Sequence, residues 1–237
     1  MSPAPVAPTG LALIDGLATL AHPTIEAYAA ASAEYVRAAS TVTPGVSKAA
    51  QIRLSLALSR VTLADLRAAG APLRRAVAGE RNVGGGLRVV QADVSEMTDT
   101  DGLTLAVEIK PVHLAVGRAI WNRFGDIRTF AVNIHLKFPF AVIGGIMTVP
   151  TQERRKSGDD VEWKTTVPLV TRAVERFVRA GGRQREGDAP HLLEAIAVVV
   201  FDHRTGLIEP DVPPVGSGLR WSDFVEQMAT TYMARFE

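Results

Sequence analysis

The apolar residues of the first third of the chain have the spacing of helices. Within 11–80 they recur at intervals of three and four, interrupted by arginines that would face water. Breaks at His22-Pro23, Pro44-Gly45, Gly70 and Pro72 divide this stretch, which predicts four or five helices. The segment 61–77 fits two short helices around Gly-Ala-Pro, either an ordinary helical hairpin or a helix-turn-helix.

From Leu87 onward the apolar period changes to two, which is typical of strands. Gly84-Gly85-Gly86 is interpreted as a hinge into a sheet, because a phosphate-binding loop would follow a strand and open a helix. The stretches 87–98 and 103–110 flank a turn signal ending in Asp101-Gly102, which predicts a β-hairpin.

The rest of the chain alternates between helical and strand patterns. Helices are expected at about 113–136, 165–179 and 221–236, and strands at 138–149 and 195–202. The fold class is therefore α/β, with a mixed central β-sheet flanked by helices and an α-helical N-terminal segment. The expected division is a helical region over 1–83 and a sheet-containing core over 84–237.

Composition excludes several classes of protein. No apolar run reaches the roughly 20 residues that cross a bilayer, and Met1 to Thr9 contains no basic residue, so neither a membrane span nor a secretory leader is expected. A cytoplasmic location follows as an expectation. The chain has no cysteine, which excludes disulfides, thiolate catalysis and Cys-ligated metals. Any metal must be held by oxygen or imidazole.

Charge is balanced overall but not along the chain. The whole chain has 26 basic and 25 acidic residues, whereas 110–156 has eight Lys or Arg against two acidic residues, a net charge of +6. The rest of the chain therefore has a net charge of −5. A basic segment of this kind favours a polyanionic partner.

The predicted hairpin brings together two acidic residues and a lysine. In its second strand, alternation places Glu108 and Lys110 on the same face, opposite Leu105, Val107 and Ile109. If the turn is centred between residues 100 and 101, residues whose numbers add to 201 oppose each other. Asp93 then lies beside Glu108.

Two opposed carboxylates repel each other unless a cation compensates. Mg²⁺ accepts carboxylate oxygens and leaves positions for water and phosphate, and Lys110 would add a positive charge that orients the attacking water. The alternative is an exposed sheet face with a salt bridge between strands. A second Glu-x-Lys triplet, Glu162-Trp163-Lys164, lies in a polar stretch without an apolar strand or a facing acid.

These residues give the sequence a family resemblance. Asp93 is followed fifteen positions later by Glu108-Ile109-Lys110, and the downstream strings are Gly117-Arg118-Ala119-Ile120-Trp121-Asn122-Arg123-Phe124-Gly125-Asp126, His135-Leu136-Lys137-Phe138-Pro139 and Val142-Ile143-Gly144-Gly145. The sequence resembles the PD-(D/E)XK nuclease superfamily, and more narrowly its type II restriction endonucleases. The resemblance covers 87–150 well, and the strand near Val200 and the closing helix more loosely. Ala92 stands where the motif's name has proline.

The resemblance implies a homodimer that cuts both strands of duplex DNA with Mg²⁺. Asp93 and Glu108 would be the metal ligands, and Lys110 would position the water. Two further groups of residues would contact the DNA backbone or enter a groove, namely Arg118, Asn122, Arg123 and Arg128 in the following helix and Arg154, Arg155 and Lys156 in a basic loop. For any one of them, a solvated helix face or turn is the alternative.

Other interpretations stay open. A repair, phage or modification-dependent nuclease of the same superfamily would carry the same residues, and a DNA-binding module without catalysis would need only the basic segment. Glu80, placed at the end of the last N-terminal helix, is a further candidate for assisting the metal. His203 is interpreted as a turn residue, and Ser217 as a loop residue because it lacks the strand-turn-helix context of an esterase nucleophile.

Overall fold

The computed structural model describes residues 11–157 and 160–237, and it describes no side chain from 156 to 161. The expectation about a secretory leader falls on residues 1–9 and lies outside this part. The elements are α1 (Ala12–Thr19), α2 (Ile25–Ala38), α3 (Pro44–Ala68), β1 (Val77–Gly84), β2 (Val89–Thr98), β3 (Gly102–Pro111), α4 (Val116–His135), β4 (Val142–Pro150), β5 (Gln152–Ser157), β6 (Asp160–Thr165), α5 (Val167–Val178), β7 (Ala195–Phe201) and α6 (Trp221–Phe236).

The fold is α/β, with a five-stranded mixed sheet in the order β1-β2-β3-β4-β7. Strands β1, β2 and β3 form an antiparallel meander, whereas β3, β4 and β7 are parallel. Helix α4 connects β3 to β4, and α5 lies between β4 and β7 in the chain. The carboxyl ends of the three parallel strands therefore share one edge, where ligands bind in open α/β sheets.

Both faces of the sheet are covered by helices. One apolar core joins α1, α2, α3 and α6 to the sheet, and a second joins α4 and α5 to the opposite face. Gly144 and Gly145 in β4 permit this close approach. A Cβ atom on Gly144 would come within 2.8 Å of Phe224, and one on Gly145 within 2.6 Å of Ile127. Any larger residue there would push α6 or α4 away from the sheet.

The N-terminal segment differs from the expected four or five helices. The described residues contain three, and α3 continues through 61–68, so 61–77 is not a pair of short helices. Residues 77–84 form strand β1, which pairs with β2. Glu80 consequently lies on a strand and not on a helix, and the expected division at residue 83 falls within β1. Of the three glycines, Gly84 ends β1 and pairs with Val89, and Gly85 and Gly86 lie in the turn between β1 and β2.

The elements after Leu87 agree with the expected order, with boundaries shifted by a few residues. The strand expected from residue 138 begins at Val142, and α6 has the expected bounds. The prediction of a basic loop was wrong, because Arg154, Arg155 and Lys156 lie on β5, which forms a two-stranded antiparallel ribbon with β6. Its strands are largely polar and have no apolar alternation. The side chain of Lys156 lies outside the described part.

His203 and Ser217 lie in irregular connections, as expected. His203 belongs to the turn that closes when Gly206 N–H donates to Asp202 O, at 2.9 Å, and its buried ring packs on Trp163. Ser217 lies in the loop before α6. None of the helices described is both long enough and apolar enough to cross a lipid bilayer.

Candidate active site

The register of the hairpin brings Asp93 close to Glu108, one position beyond the last paired residues, Val94 and Val107. Val94 pairs with Val107, Ser95 with Ala106 and Glu96 with Leu105, each pair adding to 201 as expected. Nearer the turn the register shifts by one residue, because a bulge at Thr104 lengthens β3. The turn is therefore centred on Thr100, not between residues 100 and 101, and the bulge restores the expected register before the site.

The three residues of the motif are held close together by backbone and ion-pair contacts. Ile109 N–H donates a hydrogen bond to Asp93 Oδ2 across the strands, at 2.7 Å. Lys110 Nζ pairs with Glu108 Oε1 on the same strand. Asp93 and Glu108 are only 8% and 7% exposed, so the alternative of an exposed sheet face is wrong. The observed ion pair lies within β3 and not between strands.

Burial makes the two carboxyl groups hard to ionise. Burial raises the pKa of Asp93 to about 6, although the Ile109 hydrogen bond and Lys110 act against the rise, and Glu80 adds to it. Burial likewise raises the pKa of Glu108 to about 7, against the effect of Lys110 and with that of Asp93 and Asp126. The single ammonium group does not compensate for the buried acids.

The donor set suits a hard divalent cation. No hydrogen bond from a described residue reaches Asp93 Oδ1 or Glu108 Oε2, so each carboxylate keeps one oxygen for another partner. Carboxylate oxygens are the protein ligands that Mg²⁺ prefers. The described residues contain no group of three or more His, Asp or Glu side chains placed to hold a metal. Asp93 and Glu108 would thus have to share an ion with water and substrate oxygens.

A cleft of about 600 Å³ opens onto Asp93. Glu80 of β1 and Arg123 of α4 also line it, and so do Pro111 at the end of β3 and the segment 112–114 that follows. Helix α3 forms another wall. The cleft is therefore built jointly by α3, the sheet and α4, at the carboxyl end of β3.

The predicted DNA contacts on α4 are only partly brought to this cleft. Arg118, Asn122 and Arg123 line one shallow surface depression, and Arg123 also lines the cleft and pairs with Asp126 at 2.9 Å. Arg128 does not join them, because its guanidinium is half-buried over the Phe124 ring, 5.7 Å from the centroid. Of the four residues, Arg123 alone lines the cleft with Asp93, whereas Arg118 and Asn122 line the neighbouring depression on α4.

The ribbon is attached to the first turn of α4 through Glu153. Buried Glu153 Oε2 accepts a hydrogen bond from Gly117 N–H at 3.2 Å, and Oε1 accepts two from Arg155, at 2.9 and 2.6 Å. Glu153 thus caps the helix, because the N-cap residue of α4, Ala115, makes no side-chain capping hydrogen bond. Arg155 is thereby engaged within the protein, whereas Arg154 lies opposite Trp163 in the ribbon.

Several cleft residues could not be identified from the motif alone. Lys48, Gln51, Ser55 and Ser59 of α3 line the cleft and recur every three or four residues. That spacing was visible in the sequence, but a polar helical stripe usually faces solvent. His113 also lines the cleft, and its buried ring contacts Ser32 and Tyr28 of α2 at 3.3 and 3.4 Å.

Comparison with known proteins found no matching family model, no similar curated protein and no similar solved structure. The function must therefore be inferred from the residues of the site.

The raised pKa values predict a stability that depends on pH and on Mg²⁺. Both carboxyl groups have a higher pKa in the folded than in the unfolded chain, so their contribution is complete below about pH 4 and is lost as the pH rises through 6 and 7. Without metal, the free energy of unfolding should fall by a few kcal/mol, on the order given by these shifts, between pH 5 and 8. Mg²⁺ at pH 8 should restore it, as thermal melts would show.

The control for this experiment is the double variant Asp93→Asn, Glu108→Gln, which removes both titrating groups. Its stability should change less with pH over that window and should not respond to Mg²⁺. Burial lowers the pKa of His113 to about 4, so His113 acts in the opposite direction below pH 6.5 in both proteins. An equal pH response in the two proteins would contradict the prediction.

Proposed function

We propose that this protein is a magnesium-dependent endodeoxyribonuclease of the PD-(D/E)XK type, and specifically a type II restriction endonuclease. The observation that carries the proposal is the pair of buried carboxylates, Asp93 and Glu108, with Lys110 beside them at the carboxyl end of β3. A helix and a parallel strand follow this hairpin, as the resemblance implies. A repair, phage or modification-dependent nuclease would differ in substrate, and a DNA-binding module would lack catalysis.

In this proposal Asp93 and Glu108 hold one Mg²⁺. The bound ion would lower the pKa of water and offset the negative charge that develops on the phosphodiester in the transition state. Lys110 stays close through its ion pair with Glu108, and in this proposal its ammonium group would donate a hydrogen bond to the attacking water. The Ile109 N–H engages Asp93 Oδ2, so Oδ1 would be the oxygen that binds the cation.

Partners follow from the same proposal. Duplex DNA would lie against the carboxylates, with Arg118, Asn122 and Arg123 on its backbone. Cutting both strands would require two sites, which a homodimer with twofold symmetry supplies. A cytoplasmic location, where DNA and Mg²⁺ are both present, is part of the proposal.

The test is to incubate the purified chain with plain and methylated plasmid DNA, with Mg²⁺ or with EDTA. Discrete fragments from plain DNA in Mg²⁺ alone are expected, and sequencing their ends would give the recognition site. Cleavage of methylated DNA alone would assign a modification-dependent nuclease instead. Strong binding without cleavage, with every divalent metal tried, would assign a DNA-binding module.

The contribution of α4 can be measured separately from cleavage. Arg118→Ala should weaken DNA binding similarly for all sequences and reduce the slope of log K against log salt by about 0.9, the contribution of one phosphate contact. The matched control is Arg75→Ala. Arg75 is also exposed, but it pairs with Asp99 at the opposite edge of the sheet, at the β2–β3 turn. Equal salt slopes for Arg118→Ala and Arg75→Ala would show that Arg118 of α4 does not contact the DNA.

A further inference from the structure

Helix α3 faces Asp93, one of the two predicted metal ligands, across the cleft. Lys48, Gln51 and Ser55 line the cleft from α3, whereas Asp93 lines it from the sheet. At about 600 Å³ the cleft has the size of a small-molecule pocket, so it accepts a short stretch of one nucleic-acid strand. A phosphodiester that reaches Asp93 must then lie close to α3.

The polar groups of this wall are available to a ligand. Lys48 is exposed and makes no ion pair with any described residue. Gln51 is held in place because its Nε2 donates to Tyr35 Oη at 2.8 Å, and Tyr35 Oη in turn lies 2.8 Å from Ser47 Oγ. Tyr35 is fully buried, so this anchor is rigid. Gln51 Oε1 accepts no hydrogen bond from the described residues.

Apolar side chains border the same cleft from both sides. Ile52 of α3 is 58% exposed and Leu114, just after β3, is 39% exposed. Ligand pockets combine an apolar lining with a few polar groups, so these two side chains suit an apolar part of a ligand. A cation, a fixed amide and two apolar side chains match the phosphate, the base edge and the sugar or base face of a nucleotide.

We propose that α3 is the substrate-contacting wall of the site, with Lys48 on a backbone phosphate and Gln51 on the edge of a base next to the cleaved bond. This inference rests on the proposed nuclease function and assigns the N-terminal helices to target recognition. Phosphate contacts position a protein without reading sequence, whereas an amide on a base edge discriminates between bases. The two residues therefore predict different effects.

The test measures binding to a randomised duplex pool in Ca²⁺, chosen to permit binding without cleavage, followed by sequencing of the bound DNA. Lys48→Ala should weaken binding to all sequences alike and lower the salt slope by about 0.9. Gln51→Ala should reduce the preference at one base position by about tenfold. The matched control is Arg53→Ala on the same helix, because Arg53 pairs with Asp15 of α1 at 2.8 Å.

A second measurement does not depend on any loss of function. A photo-crosslinking residue in place of Ile52 should attach to DNA, whereas one in place of Leu13, an exposed apolar residue of α1, should not. If the wild type binds DNA but Lys48→Ala and Gln51→Ala behave like Arg53→Ala, the inference is overturned and the proposed function stands. If the wild type neither binds nor cuts DNA, the proposed function fails first, and the inference fails with it.

Discussion

Asp93→Asn and Glu108→Gln are each expected to reduce Mg²⁺-dependent DNA cleavage by at least about 10²–10³-fold, the loss seen when one transition-state contact is removed. Each change replaces an anionic oxygen with a neutral amide, so the ion is held by a single carboxylate. Lys110→Ala should cause a similar loss because the ammonium group beside the water is removed. Plasmid cleavage followed on gels would measure all three.

The two carboxylate variants should not destabilise the protein, unlike Lys110→Ala. Asn and Gln remove the cost of ionising a carboxyl group whose pKa burial has raised, so at pH 8 without metal these two variants should melt at or above the wild-type temperature. Lys110→Ala should melt lower at that pH, since it leaves Glu108 without its cation. Lost activity combined with gained stability would separate a catalytic role from a structural one.

The chain contains its own control for the motif. Glu162→Gln and Lys164→Ala alter the second Glu-x-Lys triplet, whose residues are exposed on the ribbon opposite Arg155 and Glu153. Neither change should reduce cleavage by more than a small factor. Wild-type activity in Asp93→Asn, or an equal loss in the control variants, would contradict the assignment of the site.

The central hairpin was predictable because its sequence carries two independent signals. Apolar alternation set the faces of β3, and the Asp-Gly turn set the register, which together placed Asp93 beside Glu108. The exact turn was not predictable, since the bulge at Thr104 depends on how β3 packs between its neighbours. The turn lies one half-step from its expected centre and the bulge adds one residue to β3, so the two differences cancel and the expected pairs form beyond the bulge.

Strand β1 and the ribbon were not predictable for a different reason. Strand β1 lies at the edge of the sheet, and the sequence Val77-Ala-Gly-Glu-Arg-Asn-Val-Gly84 is mostly exposed, so it lacks apolar alternation. Its pairing with β2 is a tertiary effect. Likewise, the only described side chain of the ribbon that packs as a large apolar group is Trp163, against His203.

The cleft was not predictable because its walls come from distant parts of the chain. The motif identifies Asp93, Glu108 and Lys110, but it carries no information on α3, which reaches the cleft only when the N-terminal helices pack on the sheet. The lysine and amide of α3 look like a solvated helix face until that packing is known. Local signals therefore gave the chemistry of the site, and tertiary packing gave its shape.

The buried carboxylate of Glu194 carries the largest expected effect on stability. Its Oε1 accepts hydrogen bonds from Arg183 and Arg235, at 2.9 and 2.8 Å, and its Oε2 accepts one from Ile143 N–H at 2.8 Å. Burial acts to raise the pKa of Glu194, but His135, the Ile143 amide and Arg235 together hold it below its ordinary value. Glu194 thus stays ionised and connects α6 to the start of β4.

Glu194→Ala should lower the free energy of unfolding by about 3–5 kcal/mol, because it leaves the buried guanidinium of Arg183 without its carboxylate partner and the Ile143 amide without its side-chain acceptor. Glu194→Gln keeps the size and one acceptor, so it should cost less and provides a measurable variant if the alanine form does not fold. The control is Glu226→Ala on the exposed face of α6, expected to change stability by less than about 0.5 kcal/mol. Urea unfolding of the three variants would measure these values. Similar stability for Glu194→Gln and Glu226→Ala would show that the buried charge contributes nothing.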